Sequence, residues 1–112
     1  MLTERKITLQ QTPYVKCATI YSDPEVEPRA HILYFHGGGL LYGTRTDLPE
    51  THLLTLTGKG FIIIAFDYPL SPAAKLGFIR DDILSSINRF IESPDAYTVH
   101  QLPYFLWGRS AG

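Results

Sequence analysis

The chain has 112 residues and a formal net charge of −1, with 45% apolar and 19% charged residues. That length bounds it to one domain, and the composition suits a soluble chain that buries a core. With no block of either sign, nothing points to nucleic acid or an anionic membrane surface as a partner.

The start, MLTERKITLQQ, lacks an apolar run of signal-peptide length. The longest apolar stretch, FIIIAF at 61–66, is too short to cross a bilayer. The single cysteine, Cys17, forms no internal disulfide and reads as a buried strand residue in a reducing compartment. These features read together as a soluble cytoplasmic protein.

In chain order, residues 6–11 and 14–22 are β-rich and alternate, which predicts a hairpin with one wet face. A polar loop, DPEVEPR, leads into HILYFHGGG, a short apolar strand running into three glycines. Asp47-Leu48-Pro49-Glu50 supplies an N-cap acceptor and a proline in the first turn. It predicts a helix over 48–57 that ends at Gly58. FIIIAF reads as a parallel strand covered on both faces. Ile79, Ile83, Ile87 and Ile91, with Phe90, recur at helical spacing and predict an amphipathic helix over 78–92. The last strand is 103–107. The order β-β-β-α-β-α-β alternates from the third strand onward, so the fold class is α/β, a mostly parallel sheet with flanking helices.

Two glycine motifs carry chemistry. A serine hydroxyl is a poor nucleophile until a base removes its proton and donors stabilise the oxyanion that forms. WGRSAG at 107–112 places Ser110 in the spacing G-x-S-x-G directly after a strand. Gly108 and Gly112 flank a tight turn there, and Ala111 offers the next backbone N–H. Upstream, His36-Gly37-Gly38-Gly39 also follows a strand. Glycines in series can aim successive N–H groups at one point, an anion-binding nest. A glycine-rich turn of no chemical consequence is the plain alternative for either motif alone; both following strands in this order argues against it.

HGGG with Leu40-Leu41-Tyr42-Gly43, then FDYPLSP, then GRSAG, resembles the α/β-hydrolase fold over about residues 32–112. More narrowly, the set is similar to hormone-sensitive-lipase-like carboxylesterases and their bacterial relatives. The resemblance implies a lipase-like or esterase-like serine hydrolase acting on small acyl esters through an acyl-enzyme, without a cofactor. Ser110 is then the nucleophile, and Gly38, Gly39 and Ala111 supply the oxyanion-hole N–H groups. His36, Gly37, Gly108 and Gly112 shape the two turns. Pro69 and Ser71 depart from the family's Asp-Tyr-Arg-Leu-Ala-Pro pattern, which weakens any assignment to a subfamily.

In that family the chain order is serine, then acid, then histidine. After Ser110 this sequence offers only Ala111 and Gly112. Among the histidines, His31 reads as a surface or strand-end residue, His36 as a loop-shaping one and His52 as a surface residue on the first helix. His100, near Asp95, enters the serine's own strand from its far end, about 16 Å from the turn. No Cys, His and carboxylate cluster has metal-ligand spacing. The expectation is that residues 1–112 are the N-terminal portion of a single hydrolase domain, truncated after the nucleophile-elbow strand, with the acid and the base lying elsewhere. A non-catalytic remnant or partner-binding fragment is the alternative. On either reading, 103–107 becomes a sheet edge prone to self-association, and FIIIAF loses cover on one face.

Overall fold

The computed structural model describes residues 1–11, 15–37, 43–70, 74–94, 97–98 and 102–109. Along the chain these form β1 (Thr3–Gln10), β2 (Lys16–Ser22), β3 (Ala30–Phe35), α1 (Glu50–Gly58), β4 (Phe61–Phe66), α2 (Leu76–Glu92) and β5 (Tyr104–Gly108). One five-stranded sheet has the order β1-β2-β4-β3-β5. β1 and β2 are antiparallel, β2 pairs antiparallel with β4, and β3 runs parallel to both β4 and β5. The predicted α/β class and element order therefore hold.

The strand period divides the core. Ile62, Ile64 and Phe66 of β4 join Leu33 and Phe35 of β3 under α2, which contributes Ile79 and Phe90. Ile63 and Ala65 join Ile32 and Tyr34 under α1, which contributes Leu53. FIIIAF is thus covered on both faces, contrary to the expectation of a bare one. The two helices already present supply that cover, and exposure falls on β5 instead. β5 is a terminal strand of the sheet, and Phe105 and Leu106 are each 57% exposed.

Three local expectations are corrected. The wet face belongs to β1 alone, because β2 lies second in the sheet and is buried from Lys16 to Tyr21. The Lys16 ammonium is accommodated there by Asp82 of α2 at 3.0 Å. The first helix starts at Glu50, since the Asp47 carboxylate accepts the Tyr34 hydroxyl instead of capping the helix. That helix ends at Gly58 as expected, but the left-handed residue that follows it is Gly60 (φ +94°), where a Cβ would lie 2.5 Å from the Glu27 carbonyl. In α2, Phe90 is buried and Ile91 is exposed. At about 100° per residue, Phe90 falls ~20° from the direction of Ile79, whereas Ile91 falls ~120° away.

Candidate active site

The carboxyl ends of parallel strands, where ligands of open α/β sheets gather, bring the two glycine motifs together. β3 and β5 are neighbours in parallel register, Phe35 opposite Gly108. The Arg109 N–H donates to the Phe35 carbonyl at 3.2 Å, extending the pairing past the strand end. His36-Gly37 and Gly108-Arg109 therefore leave the sheet side by side. Gly38, Gly39, Ser110, Ala111 and Gly112 lie outside the described residues.

β4 ends at the same level, and its continuation holds the start of the glycine loop. Tyr68 donates its hydroxyl to the His36 carbonyl at 2.5 Å. Its ring stacks on the His36 imidazole, centroids 4.3 Å apart and planes within 11°. His36 is buried, with Nδ1 2.9 Å from the Gly37 carbonyl. The ring is thereby packed on Tyr68 and set beside the carbonyl of the next residue. Gly43, at φ +108°, returns the chain so closely that a Cβ there would sit 2.2 Å from the Gly37 oxygen. Only glycine fits that position.

Downstream, Arg45 Nη1 lies 3.0 Å from each carboxylate oxygen of Asp67, and its Nε donates to Thr19 Oγ1 at 2.8 Å. Asp67 is fixed in turn: its carboxylate accepts the Cys17 N–H at 2.9 Å, and its own N–H donates to the Cys17 carbonyl at 3.0 Å. Cys17 is a buried strand residue with a free thiol, as expected.

Tyr34 connects the two sides of the site. Its hydroxyl donates to Asp47 Oδ1 at 2.5 Å, and its ring packs against Trp107 at 5.1 Å. Burial pushes the Tyr34 phenol well above the ordinary range and the bond to Asp47 adds to this, while Arg109, beside the candidate nucleophile, opposes them.

The other histidines stand apart. His31 is fully buried, its ring edge-on to Phe90 at 5.3 Å. This corrects the surface reading: near the start of β3, α2 covers the strand. His52 is exposed on α1, and Asp95 and His100 lie outside the described residues. Among the described residues, no group of three or more His, Cys, Asp or Glu residues could hold a metal ion, and no helix is long and apolar enough to cross a membrane. Among the described residues, a cavity of about 710 Å³ lies at the opposite end of the sheet, against Thr3, Arg5, Ser22 and Phe61, away from this site. A second, about 400 Å³, is apolar and lies between α1 and β5, lined by Ile32, Leu56, Phe61, Phe105 and Trp107.

Sequence reading singled out the glycine motifs but not Arg45, Asp67 or Tyr68 as their supports. FDYPLSP was a signal for the latter two. Nothing local marked Arg45, which meets Asp67 only through the fold.

With this geometry in hand, the family model of the alpha/beta hydrolase fold matches residues 32–112. The chain belongs to that family. It is 28% identical over 101 residues to an acetyl esterase of Salmonella paratyphi B, covering 90% of this chain and 31% of that protein. An alpha/beta hydrolase superfamily protein from Enterococcus faecalis superposes with a TM-score of 0.75 at 32% identity, over 98% of this chain and 38% of the other. A bacterial heroin esterase gives 0.80 at 17% identity, over 99% of this chain and 36% of the other, which speaks for the fold alone. The chain thus spans about a third of the length of these relatives.

Proposed function

We propose that these residues are the N-terminal portion of a single α/β-hydrolase domain, and that the whole protein is a serine carboxylesterase acting on small acyl esters. The observation that carries this is the parallel pairing of β3 with β5, Phe35 opposite Gly108, so that HGGG and GRSAG leave one end of the sheet from adjacent strands. Similarity to acetyl esterases supports a short acyl group.

Ser110 attacks the ester carbonyl carbon. Its proton passes to a histidine base supplied by sequence other than these 112 residues, and the tetrahedral oxyanion is held by the N–H groups of Gly38, Gly39 and Ala111. Collapse expels the alcohol and leaves an acyl group on Ser110, which water then removes. No cofactor enters this sequence of steps. A cytoplasmic site of action is part of the same proposal, and the lone cysteine is compatible with it.

Hydrolysis of p-nitrophenyl acetate by the full-length protein, with and without Ser110→Ala, tests the assignment. Loss of turnover in the alanine variant is expected, and undiminished turnover would remove Ser110 from its role. The 112-residue chain alone is expected to show negligible turnover. His36 and His31 are packed away from any such duty, and oxyanion donors with binding alone give only ~10³–10⁴-fold over water.

A second reading is favoured by the exposed side chains of β5 and the apolar cleft beside it. The 112-residue product would then persist as a non-catalytic, partner-binding or self-associating fragment. An Asp and then a His encoded beyond codon 112 in an open frame would favour the enzyme over this remnant.

A further inference from the structure

We propose that Arg45 is a positioning residue for the oxyanion donors, acting through Asp67; this rests on the esterase reading above. The five residues 38–42 span two described stems, and both stems are tied to consecutive residues at the end of β4. Tyr68 holds the upstream stem by its ring on His36 and its bond to the His36 carbonyl. Asp67 holds the downstream stem by the Arg45 guanidinium. Asp67 and Tyr68 directly follow β4, and this one dipeptide holds both stems.

The anchor does not slide easily. Asp67 is bonded through carboxylate and backbone to Cys17, which fastens it to β2. Thr19, two residues along the same strand, receives the second arm of Arg45. Between the stems, Gly43 lies so close to Gly37 that a Cβ there would meet the Gly37 carbonyl oxygen at 2.2 Å. The downstream stem therefore packs directly against the first glycine of HGGG, Gly37.

The side chains of Arg45 and Asp67 are 21% and 26% exposed, so water screens part of their attraction, and whatever the pair adds to stability it also fixes the stem in place. Its geometry serves placement. Donors that stabilise an oxyanion act only when aimed before the reaction, and a displacement of ~1 Å costs about 10²-fold in rate. Such a loss falls on the transition state, so it appears in kcat more than in KM. Lysine in place of Arg45 keeps one charge contact but cannot reach Asp67 and Thr19 with a planar fork.

The test is made on the full-length protein with four single variants, Arg45→Met, Arg45→Lys, Asp67→Asn and Ser110→Ala, and with the double variant Arg45→Met/Asp67→Asn. Steady-state turnover of p-nitrophenyl acetate is read beside inhibition by butylboronic acid, which forms a tetrahedral adduct with an active-site serine. Arg45→Met should lower kcat about 10- to 100-fold with KM within about two-fold, and should weaken the boronate by a similar factor. Arg45→Lys, the variant least disturbing to the fold, should recover part of both. Arg45→Met combined with Asp67→Asn should cost less than the product of the two single effects. An inactive Ser110→Ala with wild-type kcat and boronate affinity in folded Arg45→Met and Arg45→Lys would overturn the positioning role alone. A loss confined to KM would also overturn it. Undiminished turnover in Ser110→Ala would overturn this proposal together with the esterase reading.

Discussion

Tyr68 holds His36 twice, through a 2.5 Å hydrogen bond to its carbonyl and through a ring stack at 4.3 Å. Both residues are buried, so the carbonyl has little water to turn to if the hydroxyl is removed. Tyr68→Phe keeps the stack and orphans the acceptor, at an expected cost of about 1–3 kcal/mol. Tyr68→Leu loses the stacking as well and should cost more. Urea unfolding of both variants checks the order. Equal stability of Tyr68→Phe and wild type would show that the hydroxyl does not hold the loop.

Gly43 and Gly58 form a matched pair for a second prediction. Gly43 has φ +108° and a backbone oxygen 2.2 Å from where a Cβ would sit, whereas a Cβ on Gly58 meets nothing within 4 Å. Gly43→Ala should therefore destabilise by at least ~1–3 kcal/mol from backbone strain alone, with the clash adding to it. Gly58→Ala, in the last turn of α1, should stabilise by ~0.5–1 kcal/mol. Thermal melts of the two variants should move in opposite directions. Full-length Gly43→Ala should also lose esterase turnover, because its clash falls on the HGGG turn.

The tyrosines set a third expectation, on pH. Burial raises the phenol pKa of Tyr34, Tyr21, Tyr68 and Tyr97 above the usual 10.0. A raised folded pKa means that above about pH 10 the unfolded chain gives up protons that the fold retains. Stability from these groups is then complete below pH 10 and falls as pH rises through the folded values. The urea midpoint should show no tyrosine-linked change between pH 8 and 9.5 and decline above 10. Tyr34→Phe should make that decline shallower. An unchanged slope in Tyr34→Phe would contradict the burial-linked shift.

A fourth prediction follows from β5. Tyr104, Phe105 and Leu106 are 41%, 57% and 57% exposed on a terminal strand of the sheet. Edge strands with apolar side chains and open backbone groups recruit further strands. The 112-residue chain should run as dimers or larger species in size-exclusion chromatography with light scattering. Phe105→Lys with Leu106→Lys should shift it toward monomer. A wild-type monomer with a cooperative melt would contradict this.

Much of this architecture was legible because it rests on short-range rules. FIIIAF, HILYF and PYFLW announced themselves by length and apolar run, and the alternation of strands and helices implied the parallel sheet. The start of α1 was misread because the capping acceptor Asp47 is claimed by Tyr34, thirteen residues earlier in the chain. Ile91 looked like core because an i+4 series drifts off one face after three steps, and Phe90 corrects the drift. His31 was misjudged because its cover, Phe90, arrives from a helix nearly sixty residues later. The motifs of the candidate site could be read directly, but their supports could not. Arg45 and Asp67 form a pair only once β2, β3 and β4 are assembled.

The most direct test of the account is covalent. Full-length protein treated with a fluorophosphonate should take up one phosphonyl group, and peptide mass spectrometry should locate it on Ser110. Ser110→Ala should take up none and hydrolyse no p-nitrophenyl acetate. A label on another residue, or ester turnover that persists in Ser110→Ala, would contradict the assignment of the GRSAG turn as the nucleophile site.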